Sequence, residues 1–267
     1  LEKELKGVEE IYHCAAEISF NPSDKIPMIR NNVKGTANLV NFALENKVKK
    51  FCHVSSVAAL GKETESSSVD ESTQRVPGSQ YSGYSLSKFH SEMEVWRGTV
   101  EGLNAVIVNP SIIIGPGRKN SGSQKMFFEI NKGLRFYTKG VSGFVDVRDV
   151  VTIMIRLMEE NVFGERFCIN SENLSYDVVL KDIAKSLGVK EPGIEAKPWM
   201  LKISVFLDKI RSTILRKQPI LTKESAKSSM GKSYFLNNKV IEKLNYKFIP
   251  VNKSILDTAE IFKKRIF

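Results

Sequence analysis

The sequence predicts an α/β protein: a doubly wound parallel sheet with a smaller, mostly helical C-terminal lobe. Three observations carry this reading. Short apolar runs recur at residues 9–16, 49–55 and 104–114, as expected of strands buried on both faces. Stretches of helical period separate them. Strands that alternate with helices pair in parallel through right-handed crossovers.

Residues 9–16 form the first strand and end in the small pair Ala15-Ala16. Residues 24–46 place Ile26, Ile29, Val33, Ala37, Val40 and Leu44 near helical spacing. Residues 49–55 are the next strand, and residues 83–100 a helix whose end Gly98 and Gly102 help to mark. The strongly apolar strand 104–114 stops at Gly115-Pro116-Gly117. A helix spans 146–160, with Asp146 or Asp149 near its N-cap. A short last strand covers 166–170. The main part is therefore 1–115 plus 141–170. The lobe is 116–140 plus 171–267, lying over the strand C-termini, where such sheets bind their ligands.

At 42% hydrophobic over 267 residues the chain can bury a full core. No apolar run is long enough to span a membrane, and no signal peptide is visible. Cys14, Cys52 and Cys168 each sit in apolar strand-like runs and are odd in number, which reads as buried free thiols in a reducing cytoplasm. His13, His53 and His90 lack metal-ligand spacing, so no metal is expected. The net charge of +10 is concentrated: residues 197–243 hold eleven Lys/Arg and three acids. A solvated basic face, an anionic substrate and a phospholipid surface are the readings of that segment. Nucleic acid is disfavoured, because the basic residues do not interleave with stacking aromatics.

The chemistry centres on Tyr84 and Lys88, which are i and i+4 on a helix and share a face. A nearby ammonium is expected to lower the phenol pKa and let Tyr84 act as general acid or base. Ser56, 28 residues upstream of Tyr84, could hold a substrate oxygen. Tyr81 is a rival phenol, but no Lys stands four residues after it.

Six blocks in order accompany this trio: Ile11-Tyr12-His13-Cys14-Ala15-Ala16, Asn32-Val33-Lys34-Gly35-Thr36, Phe51 to Gly61, the Tyr84/Lys88 helix, Val108-Asn109-Pro110-Ser111 with Gly115-Pro116-Gly117, and Phe144 to Val150. Together they resemble the extended short-chain dehydrogenase/reductase family, of NAD-dependent epimerase/dehydratase type. The resemblance implies a Rossmann-like fold, NAD or NADP as cofactor, and a homodimer. It implies Ser56, Tyr84 and Lys88 as catalytic residues. It places Ala15, Ala16, Asn32, Ser55, Tyr84, Lys88, Val108, Pro110 and Ser111 against the cofactor, with Ser55 fixing backbone rather than reacting. It offers Ser56, Asn109 and Arg148 to substrate, although a structural salt bridge is the favoured reading of Arg148, and a core position that of His13.

The sequence departs from the family pattern in one respect. It contains no Gly-x-x-Gly-x-x-Gly turn, whose glycines let a pyrophosphate approach the backbone. Residues 1–115 and 141–170 then read as a partial dinucleotide-binding domain, and the complete protein is expected to be longer. Positions 57 and 58 are Val and Ala where the family's 4,6-dehydratases carry Asp-Glu, which disfavours dehydration. Residues 15–24 look like dihydroflavonol-reductase-like and 3β-hydroxysteroid-dehydrogenase-like members, whereas Asn109-Pro110 looks like the epimerases.

Residues 199–217 alternate Trp199, Met200, Ile203, Phe206, Leu207, Ile210 and Ile214 with Lys202, Lys209, Arg211, Arg216 and Lys217. Such a basic amphipathic helix could lie on a membrane or roof an apolar substrate pocket. Packing on its own lobe is the favoured reading, which an exposed apolar face would overturn. The expected function is an NAD(P)-dependent reductase or dehydrogenase of a carbonyl/alcohol pair, acting on an apolar molecule or a nucleotide sugar. A nucleotide-sugar epimerase is the alternative, and a non-catalytic binding protein the third reading.

Overall fold

The computed structural model describes residues 5–19, 21–61, 68–77, 79, 81–117, 122–215 and 223–266. Its strands are β1 (Glu10–His13), β2 (Lys50–Val54), β3 (Ser68–Val69), β4 (Ala105–Pro110), β5 (Ile112–Ile114), β6 (Phe136–Tyr137), β7 (Val141–Asp146), β8 (Glu165–Ile169), β9 (Glu172–Ser175), β10 (Ile194–Glu195) and β11 (Tyr234–Phe235). Its helices are α1 (Lys25–Glu45), α2 (Gly83–Val100), α3 (Gln124–Asn131), α4 (Val147–Glu159), α5 (Tyr176–Leu187), α6 (Pro198–Leu215), α7 (Lys223–Met230), α8 (Asn238–Leu244) and α9 (Val251–Ile266).

Four strands form a wholly parallel sheet in the order β1-β2-β4-β8. Alternation along each strand feeds two cores. Ile11, Phe51, Ala105 and Ile107 face α1 and α2, where they meet Val40 and Val95. Cys52, Val106, Val108, Phe167 and Ile169 face the opposite way, onto Ile153, Leu157 and Met158 of α4 and Val240 and Leu244 of α8. Helices on both faces make this the doubly wound α/β architecture. A second sheet, β5-β7-β9, contributes Phe144 of β7 to a separate core with Phe127, Ile130, Val179, Ile183, Val251 and Ile255 from α3, α5 and α9.

Helix α2 spans the expected residues, and the other main elements begin or end within a few residues of expectation. Four features differ. The first strand stops at His13, leaving Cys14, Ala15 and Ala16 in irregular, exposed chain, so that Cys52 and Cys168 are buried thiols as expected but Cys14 is not. The run 104–114 is two strands in two sheets: Ser111 N donates to Ile169 O at 3.0 Å as the last bond beside β8, and β5 then pairs with β7. Gly98 lies inside α2 instead of at its end. A Cβ there would sit 2.5 Å from Val40 Cγ1, so the helix is smooth at 98 to admit α1. Finally, part of the apolar face of α6 is open: Trp199, Ile203 and Phe206 are 62%, 50% and 63% exposed, while the side chains of Leu207, Ile210 and Ile214 lie outside those described. Asp146 is the N-cap of α4, accepting from Arg148 N at 2.7 Å. Asp149 lies within the first turn, buried and accepting from the Tyr246 hydroxyl and the Ile249 amide.

Candidate active site

The loops after the parallel strands converge at one edge of the sheet, and there the sequence-predicted residues gather. Ser56 follows β2 and opens a short 3-10 turn at Val57–Ala59, its Oγ accepting from Ala58 N at 3.2 Å. Ser82 caps α2 by accepting from Ser85 N at 3.1 Å, which places Tyr84 in the first turn. Ser85 Oγ donates to Ala58 O at 2.7 Å and ties that turn to the one after β2. The Tyr84 phenol and the Ser56 hydroxyl are thereby brought into hydrogen-bond contact.

Lys88, one turn further on, is buried, and its Nζ donates to Val54 O at 2.9 Å. Burial lowers its pKa to about 8, opposed by the charge of Glu92. The expected lowering of the Tyr84 pKa is not what the geometry yields: burial raises the phenol above its ordinary value, and the Ser56 hydrogen bond offsets this in part. The ammonium is turned onto the Val54 carbonyl. Tyr81 is used otherwise, accepting from Val76 N at 2.9 Å with the Arg75 guanidinium stacked 3.6 Å from its ring centre.

The remaining predicted residues divide sharply. Ala15 and Ala16 are exposed beside this edge, and the adjacent His13 and Cys14 feel the charge of Lys88. His13 is a core histidine, with Nε2 2.9 Å from Thr36 Oγ1 and a pKa lowered to about 4 by burial. Asn32 is neither a helix cap nor open to a ligand. Its Oδ1 accepts from Glu17 N at 2.7 Å, and its Nδ2 donates to Glu17 O at 2.9 Å and Ser87 Oγ at 3.1 Å, clamping the loop after Ala16 to α2. Ser55 N donates to Val108 O at 2.8 Å, the backbone role expected of it. The Val108 side chain lies in the core, and Pro110 and Ser111 are buried.

Asn109 is fully buried beneath Ser56, donating to Ser56 O at 3.0 Å and to Glu92. That geometry supports the floor of the site and commits both amide hydrogens, while Asn109 Oδ1 is buried without a hydrogen-bond partner among the described residues. Arg148 bonds Asp146 at 2.7 Å and Asp257 at 2.8 Å, a structural salt bridge in place of a substrate contact.

Sequence reasoning missed Glu92. It is fully buried, receives Asn109 and lies 3.2 Å from Arg166 Nη1, whose Nε and Nη2 are held by Glu71 O. Its signal was present: Tyr84, Lys88 and Glu92 form one i, i+4, i+8 series. A cavity of about 460 Å³ is lined by Ala59, Gly61, Arg75, Phe89, Met93 and Arg166, and none of Ser56, Tyr84 and Lys88 is in its lining.

A parallel doubly wound sheet with polar groups gathered at its strand C-termini defines a Rossmann-like α/β protein with its ligand crevice at that edge. The chain belongs to the NAD dependent epimerase/dehydratase family, whose model matches residues 1–169. It is 23% identical to a candidate dihydroflavonol 4-reductase of Synechocystis sp., over 98% of this chain and 78% of that protein. It is 29% identical to the sterol demethylase protein B of Methylococcus capsulatus, over 74% of this chain and 61% of that one. Among solved structures it resembles gox2253, with a TM-score of 0.82, 28% identity and coverage of 99% of this chain and 81% of that one.

Proposed function

We propose that the chain is an NAD(P)-dependent reductase or dehydrogenase of a carbonyl/alcohol pair, with Ser56, Tyr84 and Lys88 as catalytic residues. The hydrogen bond between Tyr84 and Ser56 carries the reading. Ser56 Oγ accepts from Ala58 N, and its one hydrogen, which faces the Tyr84 oxygen here, would turn to a bound substrate oxygen. The raised pKa keeps Tyr84 protonated at neutral pH, as a donor to a developing alkoxide must be. The residues present fit the nicotinamide end of a dinucleotide. Ala15 and Ala16 offer exposed backbone with little side chain, and the Lys88 ammonium has one acceptor among the described residues, leaving N–H groups for a ribose. A bound dinucleotide supplies the hydride. The pyrophosphate-binding glycines are not among these 267 residues.

Segments 116–140 and 171–267 would serve as the substrate lobe in this reading. The family membership and the two relatives' names support an oxidoreductase, with an apolar small molecule as the substrate class. Net consumption of NADH or NADPH distinguishes it from an epimerase, which would retain cofactor through turnover. Tyr84→Phe tests it directly: turnover should fall by about 10²-fold or more while titration with NADH and NADPH still saturates. Near-normal turnover would overturn the assignment.

A further inference from the structure

We propose that α6 is an interfacial helix that docks the protein on an anionic phospholipid surface. Trp199, Ile203 and Phe206 stand at i, i+4 and i+7, so they share one helix face, and all three are at least half exposed. The β6–β10 pair leading into α6 adds two more exposed apolar side chains, Phe136 and Ile194, which are cross-strand partners. Single exposed apolar residues are ordinary on a soluble protein; three on one face of one helix are not. Among the described residues no helix is long and apolar enough to cross a membrane, so insertion would be parallel to the surface.

Charge selects the occupant. The segment 197–243 carries eleven basic residues against three acids, an excess of eight. Acids outside the segment neutralise only part of that excess: Lys197 pairs with Glu195, and Lys239 and Lys243 share Glu165. Two copies meeting through this region would set like charges against each other, whereas anionic headgroups match it. Tryptophan within the apolar face suits the headgroup boundary, where its amphipathic ring is favoured. The inference does not rest on the reductase reading, since α6 contributes none of the proposed catalytic residues.

The test uses the intact chain and vesicles of phosphatidylcholine with and without phosphatidylglycerol. Sedimentation should show binding to the anionic vesicles, at least about tenfold stronger than to neutral ones, and weakened as added salt screens the charges. The chain has two tryptophans, Trp96 and Trp199. In Trp96→Phe the emission of Trp199 should shift to the blue on adding anionic vesicles. The triple variant Trp199→Ser, Ile203→Ser, Phe206→Ser should keep its far-ultraviolet dichroism and lose at least about tenfold in partition. Absence of vesicle binding, a Trp199 emission unmoved by lipid, or undiminished binding by the triple variant would each overturn the proposal. So would a wild-type dimer that dissociates in the triple variant, which would assign the face to a second copy.

Discussion

Helices α2 and α6 are each 18 residues long, yet the chain treats them in opposite ways. Along α2, Ser85, Ser87, Lys88 and Glu92 are buried and bonded to β2, β4, β8, α1 or the loops between them. Gly98 is emptied of side chain so that α1 can approach. Along α6, Trp199, Ile203 and Phe206 face outward. Polar groups inside and apolar groups outside invert the usual rule in both helices, and each inversion has a cost. Buried polar groups are tolerable only when bonded. Exposed apolar groups are expected only where something is to cover them. The comparison therefore assigns chemistry to α2 and contact to α6.

The largest expected effect separates the two by activity. Tyr84→Phe should lower turnover by orders of magnitude. The α6 triple variant, assayed with a substrate free in solution, should turn over within about twofold of wild type. Equal losses in both variants would place α6 over the substrate and erase the distinction.

Second is the floor beneath Ser56. Glu92→Ala leaves Arg166 and Asn109 without their buried partner, and breaking a buried pair costs about 3–5 kcal/mol. Urea unfolding measures that loss. Glu92→Gln keeps the shape and an acceptor for Asn109, and should recover part of it. A loss below about 1 kcal/mol would mean that the network is solvated and α2 less constrained than its hydrogen bonds imply.

These two helices also mark how far the sequence could be read. The bounds of α2 and the shared face of Tyr84 and Lys88 follow from local signals, whereas the meeting of Ser56 with Tyr84, 28 residues apart, is expected from the family resemblance. The Asn109–Glu92–Arg166 network joins residues 17 and 74 positions apart. It depends on β4 and β8 being neighbours, which no local period encodes. For the same reason the strand break at Ser111 and the role of Gly98 were hidden, since each answers to a partner distant in sequence. Asn32 misled because its block fixes position and type but not which atoms its amide meets. For α6 the amphipathic pattern was plain, and only the tertiary structure could show which face lacked cover.

Third is the pH response of α2. Lys88 titrates near 8 when folded against an ordinary 10.5, so between those values the unfolded chain holds a proton that the folded chain has released. Stability from this group is lowest below pH 8 and rises across the window, by at most about 1.4 kcal/mol per pH unit. Measured against Lys88→Met, which cannot titrate, the wild type should gain stability from pH 8 to 10. No relative gain would show the ammonium to be solvated, contrary to its burial.

The smallest expected effect concerns Arg148, which resemblance offered to the substrate. Its guanidinium is half exposed and spans Asp146 and Asp257 at the start of α4. Exposed ion pairs contribute about 0–1 kcal/mol, because water and salt screen them and two side chains must be held still. Asp146 is buried, but it keeps the Arg148 backbone amide as a donor if the guanidinium is removed, and so stays partly satisfied. Arg148→Met should therefore cost no more than about 1 kcal/mol in urea unfolding and leave KM unchanged. A tenfold rise in KM with stability intact would return Arg148 to the substrate and extend the functional surface beyond α2 to the cap of α4.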